Sequence, residues 1–105
     1  MAITPVNASL TVTTAGTRVA VTATTTILPS SVYFEALGSN TGFIYIGLVT
    51  VSSTVYISRL AAGQGIEISL DGDNVRQGLQ LSNLYADSSV NGEKVLVTYQ
   101  YRTGV

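Results

Sequence analysis

Apolar and polar residues alternate with a period of two along most of this chain, and no window carries a helical period. Leu10 and Val12 oppose Ser9, Thr11 and Thr13. Ile66, Ile68 and Leu70 oppose Glu67, Ser69 and Asp71. Val95, Val97, Tyr99 and Tyr101 share one face of the last segment. Thr and Val dominate these runs, and both are β-branched and stiff at χ1, which suits a pleated strand. Clusters rich in Gly, Asn or Asp punctuate them: Ala15-Gly16, Gly38-Ser39-Asn40-Thr41-Gly42, Ala62-Gly63-Gln64-Gly65, Asp71-Gly72-Asp73-Asn74 and Val90-Asn91-Gly92-Glu93. About eight short strands at a spacing of roughly 8–12 residues predict an all-β chain, a single antiparallel β-sandwich or jelly-roll-like domain.

Local patterns sharpen the expectation. Leu10 and Val12, followed by Ala15-Gly16 and then Val19, Val21 and Ala23, predict a hairpin. Val90-Asn91-Gly92-Glu93 is a second hairpin signal. Val32, Phe34 and Ala36 alternate with Tyr33, Glu35 and Leu37, so apolar groups on both sides predict a strand covered on both faces. Phe43 to Leu48 reads the same way. Val55 and Ile57 alternate with Tyr56 and Ser58, and Leu84 and Ala86 with Tyr85 and Asp87. Pro29 falls between segments, and Val75 to Leu81 fits either a strand or an irregular connection. A chain of 105 residues makes one domain. Met1 to Val6 precede the first clear strand. Residues 1–8 are therefore read as an extended N-terminal arm that orders on a neighbour, and residues 9–105 as the sandwich.

Composition removes several function classes. With no Cys there is no disulfide framework or thiolate nucleophile, and with no His there is no Ser-His-Asp triad or imidazole ligand. Net charge is −1, and the five cations, Arg18, Arg59, Arg76, Lys94 and Arg102, are scattered, which argues against nucleic acid. The N-terminus lacks the pattern of a secretion signal. The longest apolar stretch, Phe43 to Val51, is far shorter than the roughly 20 residues of a membrane-spanning helix.

Few residues offer chemistry. Asp71-Gly72-Asp73-Asn74 has the oxygen-rich look of a calcium loop, with Glu67 and Asp87 as further ligands. It lacks the spacing and terminal Glu of an EF-hand, and a surface turn is the reading adopted. The six carboxylates, Glu35, Glu67, Asp71, Asp73, Asp87 and Glu93, form no distinctive pair for glycoside hydrolysis. Gly63-Gln64-Gly65 has neither the helix nor the Lys of a phosphate loop. The expectation is a non-enzymatic chain with no catalytic, metal or cofactor residue.

The surface is more informative. Only 10% of residues are charged, against roughly 25% in ordinary soluble domains. Phe43–Val51 would aggregate if it lay on an edge. Burial against identical copies or a partner relieves both problems, so composition favours an assembly component. Exposed Tyr supplies contact area at low entropic cost. The candidate interface therefore draws Ile3, Pro5 and Val6 from the arm and Tyr33, Tyr56 and Tyr85 from the sheets. Tyr99 and Tyr101, beside Val95 and Val97, are read first as packing residues.

In order, Ser9-Leu10-Thr11-Val12-Thr13-Thr14-Ala15-Gly16-Thr17-Arg18-Val19, Ser39-Asn40-Thr41-Gly42-Phe43-Ile44-Tyr45-Ile46-Gly47, Leu60-Ala61-Ala62-Gly63-Gln64-Gly65-Ile66-Glu67-Ile68 and Leu84-Tyr85-Ala86-Asp87 resemble small virion proteins of tailed bacteriophages. The resemblance runs from about Ser9 to Tyr101 and rests on the order of turn glycines between strands. It implies a β-sandwich with a structural role, in this size range a capsid decoration or cement protein. It further implies binding to the major capsid protein on the capsid exterior, as a homotrimer or other symmetric oligomer made in the host cytoplasm. Neither nucleic acid nor membrane is an expected partner. Two alternatives are a low-copy neck, tail or fibre-associated protein on the same fold and a carbohydrate-binding or host-adhesion module using exposed Tyr.

Overall fold

The computed structural model describes residues 2–21, 31–70 and 81–103, residues 2–6, 82 and 100–103 by their backbone. The chain runs β1 (Ala2–Val12), β2 (Val19–Ala20), β3 (Ser31–Ala36), β4 (Ile44–Gly47), β5 (Ser58–Leu60), β6 (Gly65–Ser69), a 3-10 turn (Leu81–Asn83), β7 (Tyr85–Ser88) and β8 (Glu93–Thr103). Two four-stranded sheets form, ordered β1-β8-β3-β6 and β2-β7-β4-β5. Every pairing is antiparallel. Apart from β4 to β5, each successive strand crosses to the other sheet. This strand order is that of a jelly roll, with the first and last strands side by side.

The alternation seen in the sequence builds the core directly. Val12, Val32, Phe34, Ala36, Val95 and Val97 face inward from the first sheet. They meet Ile44, Ile46, Leu60, Leu84 and Ala86 from the second, all buried. Leu10, Val19, Val21 and Tyr99 pack around this cluster. Tyr99 thus packs as expected, whereas the side chain of Tyr101 lies outside the described residues.

Neither expected hairpin forms. β1 pairs with β8 and β2 with β7, so residues 13–18 cross between sheets. A sandwich corner satisfies the same in-and-out pattern as a hairpin, because Leu10, Val12, Val19 and Val21 all point into one core. Val90-Asn91-Gly92-Glu93 likewise makes a tight turn, but it joins β7 in one sheet to β8 in the other. Gly92 has φ +79° and its N–H donates to Val12 O at 2.8 Å. A Cβ there would meet nothing within 4 Å, so only backbone strain opposes it. Gly92→Ala is expected to cost about 1 kcal/mol, read as a lower urea midpoint with unchanged slope.

The two apolar strands separate in character. β4 is buried on both faces as expected, but β3 is not: Tyr33 on its outer side is 41% exposed. The Tyr33 ring lies over Gly65 on the neighbouring strand, where a Cβ would run into its hydroxyl. Tyr at this position packs along the surface and needs no second layer. Residues 55–57 are not a strand, since β5 begins at Ser58. Residues 2–8, read above as part of an arm, run within β1, with Ala2 opposite Thr103 and Ala8 opposite Val97. Pro5 blurred the strand signal there. Ala23, Pro29, Asp71-Gly72-Asp73-Asn74 and 75–80 lie outside the described residues.

Candidate functional surface

One end of the sandwich is organised by two buried carboxylates. Glu93 is 5% exposed. Its Oε1 accepts the N–H of Thr41 at 2.8 Å, the hydroxyl of Thr41 at 3.2 Å and the N–H of Gly42 at 2.5 Å. The Asn40 side chain completes the clasp: its Nδ2 donates to Lys94 O at 2.7 Å and its Oδ1 accepts Lys94 N–H at 3.0 Å. An amide side chain thus stands in for one rung of a β-ladder. Gly42 is required by close approach, because a Cβ there would collide with Ser89 Oγ. Asp87, 2% exposed, accepts from Gly16 N–H at 2.9 Å and Ser88 N–H at 2.8 Å. Asn91 Oδ1 accepts from Ala15 N–H at 2.8 Å. Three of the four ordered segments thus take part in these clasps: Gly16 meets Asp87, and Asn40-Thr41-Gly42 meet Glu93 and Lys94, which lie outside the segments. Both carboxylates weighed above as ligands or catalysts are held by backbone donors. Among the described residues no group of three His, Cys, Asp or Glu gathers into a metal site.

The outer face of the second sheet is different in kind. Between β4 and β5 the chain makes a ten-residue excursion, residues 48–57, that folds back over the sheet. Val51 is its buried plug, with its N–H on Leu48 O at 2.9 Å and its Cγ2 over Gly47. Ser52 closes the tip: its N–H donates to Val55 O at 2.8 Å and its Oγ accepts from Thr54 and Val55 N–H, both at 3.2 Å. Tyr56 lies on outward-facing Tyr45, ring centroids 5.5 Å apart, which is why β4 is covered on both faces. Arg59 sits 4.6 Å over the Phe43 ring.

This excursion exposes Leu48, Val49, Val55, Tyr56 and Ile57. Among the described residues only Tyr33, Phe43 and Val90 are exposed large hydrophobics outside it. Singly scattered apolar residues are ordinary on a surface, whereas a cluster on one ordered loop makes that loop the candidate contact region. Hydrogen bonds within the loop and the Val51 plug hold it in one shape, so ordering it on binding costs little.

The sequence-derived candidates divide accordingly. Tyr56 is in the cluster. Tyr85, half-buried, lies on the same outer face, and with Val49, Gly16, Thr17 and Arg18 it lines a shallow depression. Tyr33 is on the outer face of the other sheet, so the structure does not bring it together with Tyr56 and Tyr85. Ile3, Pro5 and Val6 are placed only by backbone register in β1. Val55 and Ile57 were missed as surface residues because strand alternation would have buried one side of that segment. The signal available was the apolar run Phe43–Val51, which already needed covering. No protein-family model, curated protein or solved structure matches the chain.

Proposed function

We propose that this chain is a non-enzymatic virion structural protein of a tailed bacteriophage, a capsid decoration protein that binds the major capsid lattice from outside and stabilises the head. The observation that carries the reading is the preformed apolar cluster on the β4–β5 excursion, a surface built for contact on a rigid jelly-roll scaffold. The low charge of the chain supports it, since a permanently occupied lattice site removes much of the surface from solvent. The buried clasps support it as well, because Asp87 and Glu93 are engaged in fixing loops. Many weak contacts repeated over a shell become durable through avidity.

Quantitative mass spectrometry of purified particles from the phage that encodes the chain tests the proposal. Copies on the order of the number of capsid subunits are expected. A handful per particle would move the chain to the neck, tail or fibres. Absence from the particle would overturn the virion reading.

A further inference from the structure

Four strands form the edges of the two sheets: β1 and β6 in one, β2 and β5 in the other. An exposed edge is a template for pairing, and proteins blunt it with short strands, charges or Pro. Here β2 has 2 residues and β5 has 3, and β6 carries Glu67 at its centre. β1 is the exception, with 11 residues and no charge.

The hydrogen bonds show which groups that edge presents. Both the N–H and the C=O of Lys94 bond to Asn40, on the β3 side of β8. Backbone groups alternate along an antiparallel strand, so Glu93, Val95, Val97 and Tyr99 turn theirs toward β1. Their partners are Val12, Leu10, Ala8 and Val6. The intervening Asn7, Ser9 and Thr11 therefore direct N–H and C=O away from the sheet, and no strand among the described residues receives them. Pro5 falls in the same outward set, where its missing N–H costs the β1–β8 ladder nothing. It blunts the first half of the edge and leaves Asn7 to Val12 with no paired strand on that side among the described residues.

We propose that β1 pairs with β1 of a second copy, antiparallel about a two-fold axis, joining two four-stranded sheets into one of eight strands. Pro5 fixes the register. With Ser9 opposite the partner's Ser9, Asn7 lies opposite the partner's Thr11, and the three residues on each side exchange about six hydrogen bonds. Moving the axis to Asn7 would set the Pro5 ring, in place of an N–H, against the Ser9 backbone at two positions of the pairing. The chosen register sets exposed Ala8 beside the partner's half-buried Leu10, with no like charges facing. A strand edge requires a strand as occupant, and this chain supplies an uncharged, self-complementary one. The proposal stands independently of the virion reading.

Light scattering coupled to size exclusion on the full chain tests it. The native chain is expected to elute with the mass of two chains. Ser9→Pro removes two outward N–H groups per dimer without touching the β1–β8 ladder. It should weaken association by at least about tenfold while the thermal melt stays native-like. If Ser9→Pro fails to fold, Ser9→Cys decides. Paired Cα atoms would be about 5.5 Å apart, within disulfide range, and the chain has no other Cys. Mild oxidation should link Ser9→Cys chains much faster than Ser53→Cys chains, whose site is in the β4–β5 excursion. A native mass of one or three chains, a dimer unaffected by Ser9→Pro in a folded protein, or equal linking at both Cys positions overturns the proposal.

Discussion

Glu93→Ala is expected to lower the melting temperature by about 10–25 °C. The side chain is 5% exposed, and one of its oxygens serves three donors on Thr41 and Gly42. Hydrogen bonds to an ionised acceptor contribute roughly 1.5–3 kcal/mol each, and buried donors left without a partner cost about 1–3 kcal/mol. The Thr41 hydroxyl is near solvent and recovers by hydration, so about 2–4 kcal/mol is the net expectation. Glu93→Gln keeps an acceptor of the same shape and should lose about half as much. Glu35→Gln, on the outer face of β3, is the control and should stay within about 0.5 kcal/mol. Thermal melts of the three variants check the order. If Glu93→Ala melts with the native chain, the clasp does not hold the β3–β4 loop, and the spacing of Asn40-Thr41-Gly42 from Glu93 needs another explanation.

The same clasp shows how far the sequence could be read. Fold class was legible because strand alternation is local: Val95 and Val97 declare an inward face whatever lies opposite. Partners were not legible. Asn-Gly before Glu93 is a strong turn signal, but a turn within a sheet and a turn between sheets use the same residues and the same positive φ. Only the register of β8 against β1 and β3 decides between them, and that register is set by contacts distant in sequence. The roles of Asp87 and Glu93 were hidden for the same reason. A carboxylate 51 or 71 residues from the backbone N–H it accepts looks like any other acid. Of the three Tyr candidates, Tyr56 and Tyr85 share an outer face and Tyr33 lies on the opposite side, because which sheet each strand joins is set by pairings distant in sequence.

The surface proposed for capsid contact yields a prediction that separates binding from folding. Val55 and Ile57 are about half exposed and flank Tyr56, whose ring packs on Tyr45. Changing both to Asp leaves that ring contact, the Val51 plug and the Ser52 turn in place, so the melt should shift by less than about 1 kcal/mol equivalent. At a desolvated interface the same pair of charges replaces buried apolar area with two unpaired carboxylates. Each alone costs on the order of 2 kcal/mol or more at a hot spot, so together they should weaken a single contact by at least about a hundredfold. Avidity hides part of that on a full lattice, so the measurement is competitive. Variant and native protein are added together to particles grown without the chain, and their occupancies compared. Native protein should exclude the variant nearly completely. Equal occupancy would remove the β4–β5 excursion from the contact and turn the test to the outer face of the first sheet, where Tyr33 is exposed.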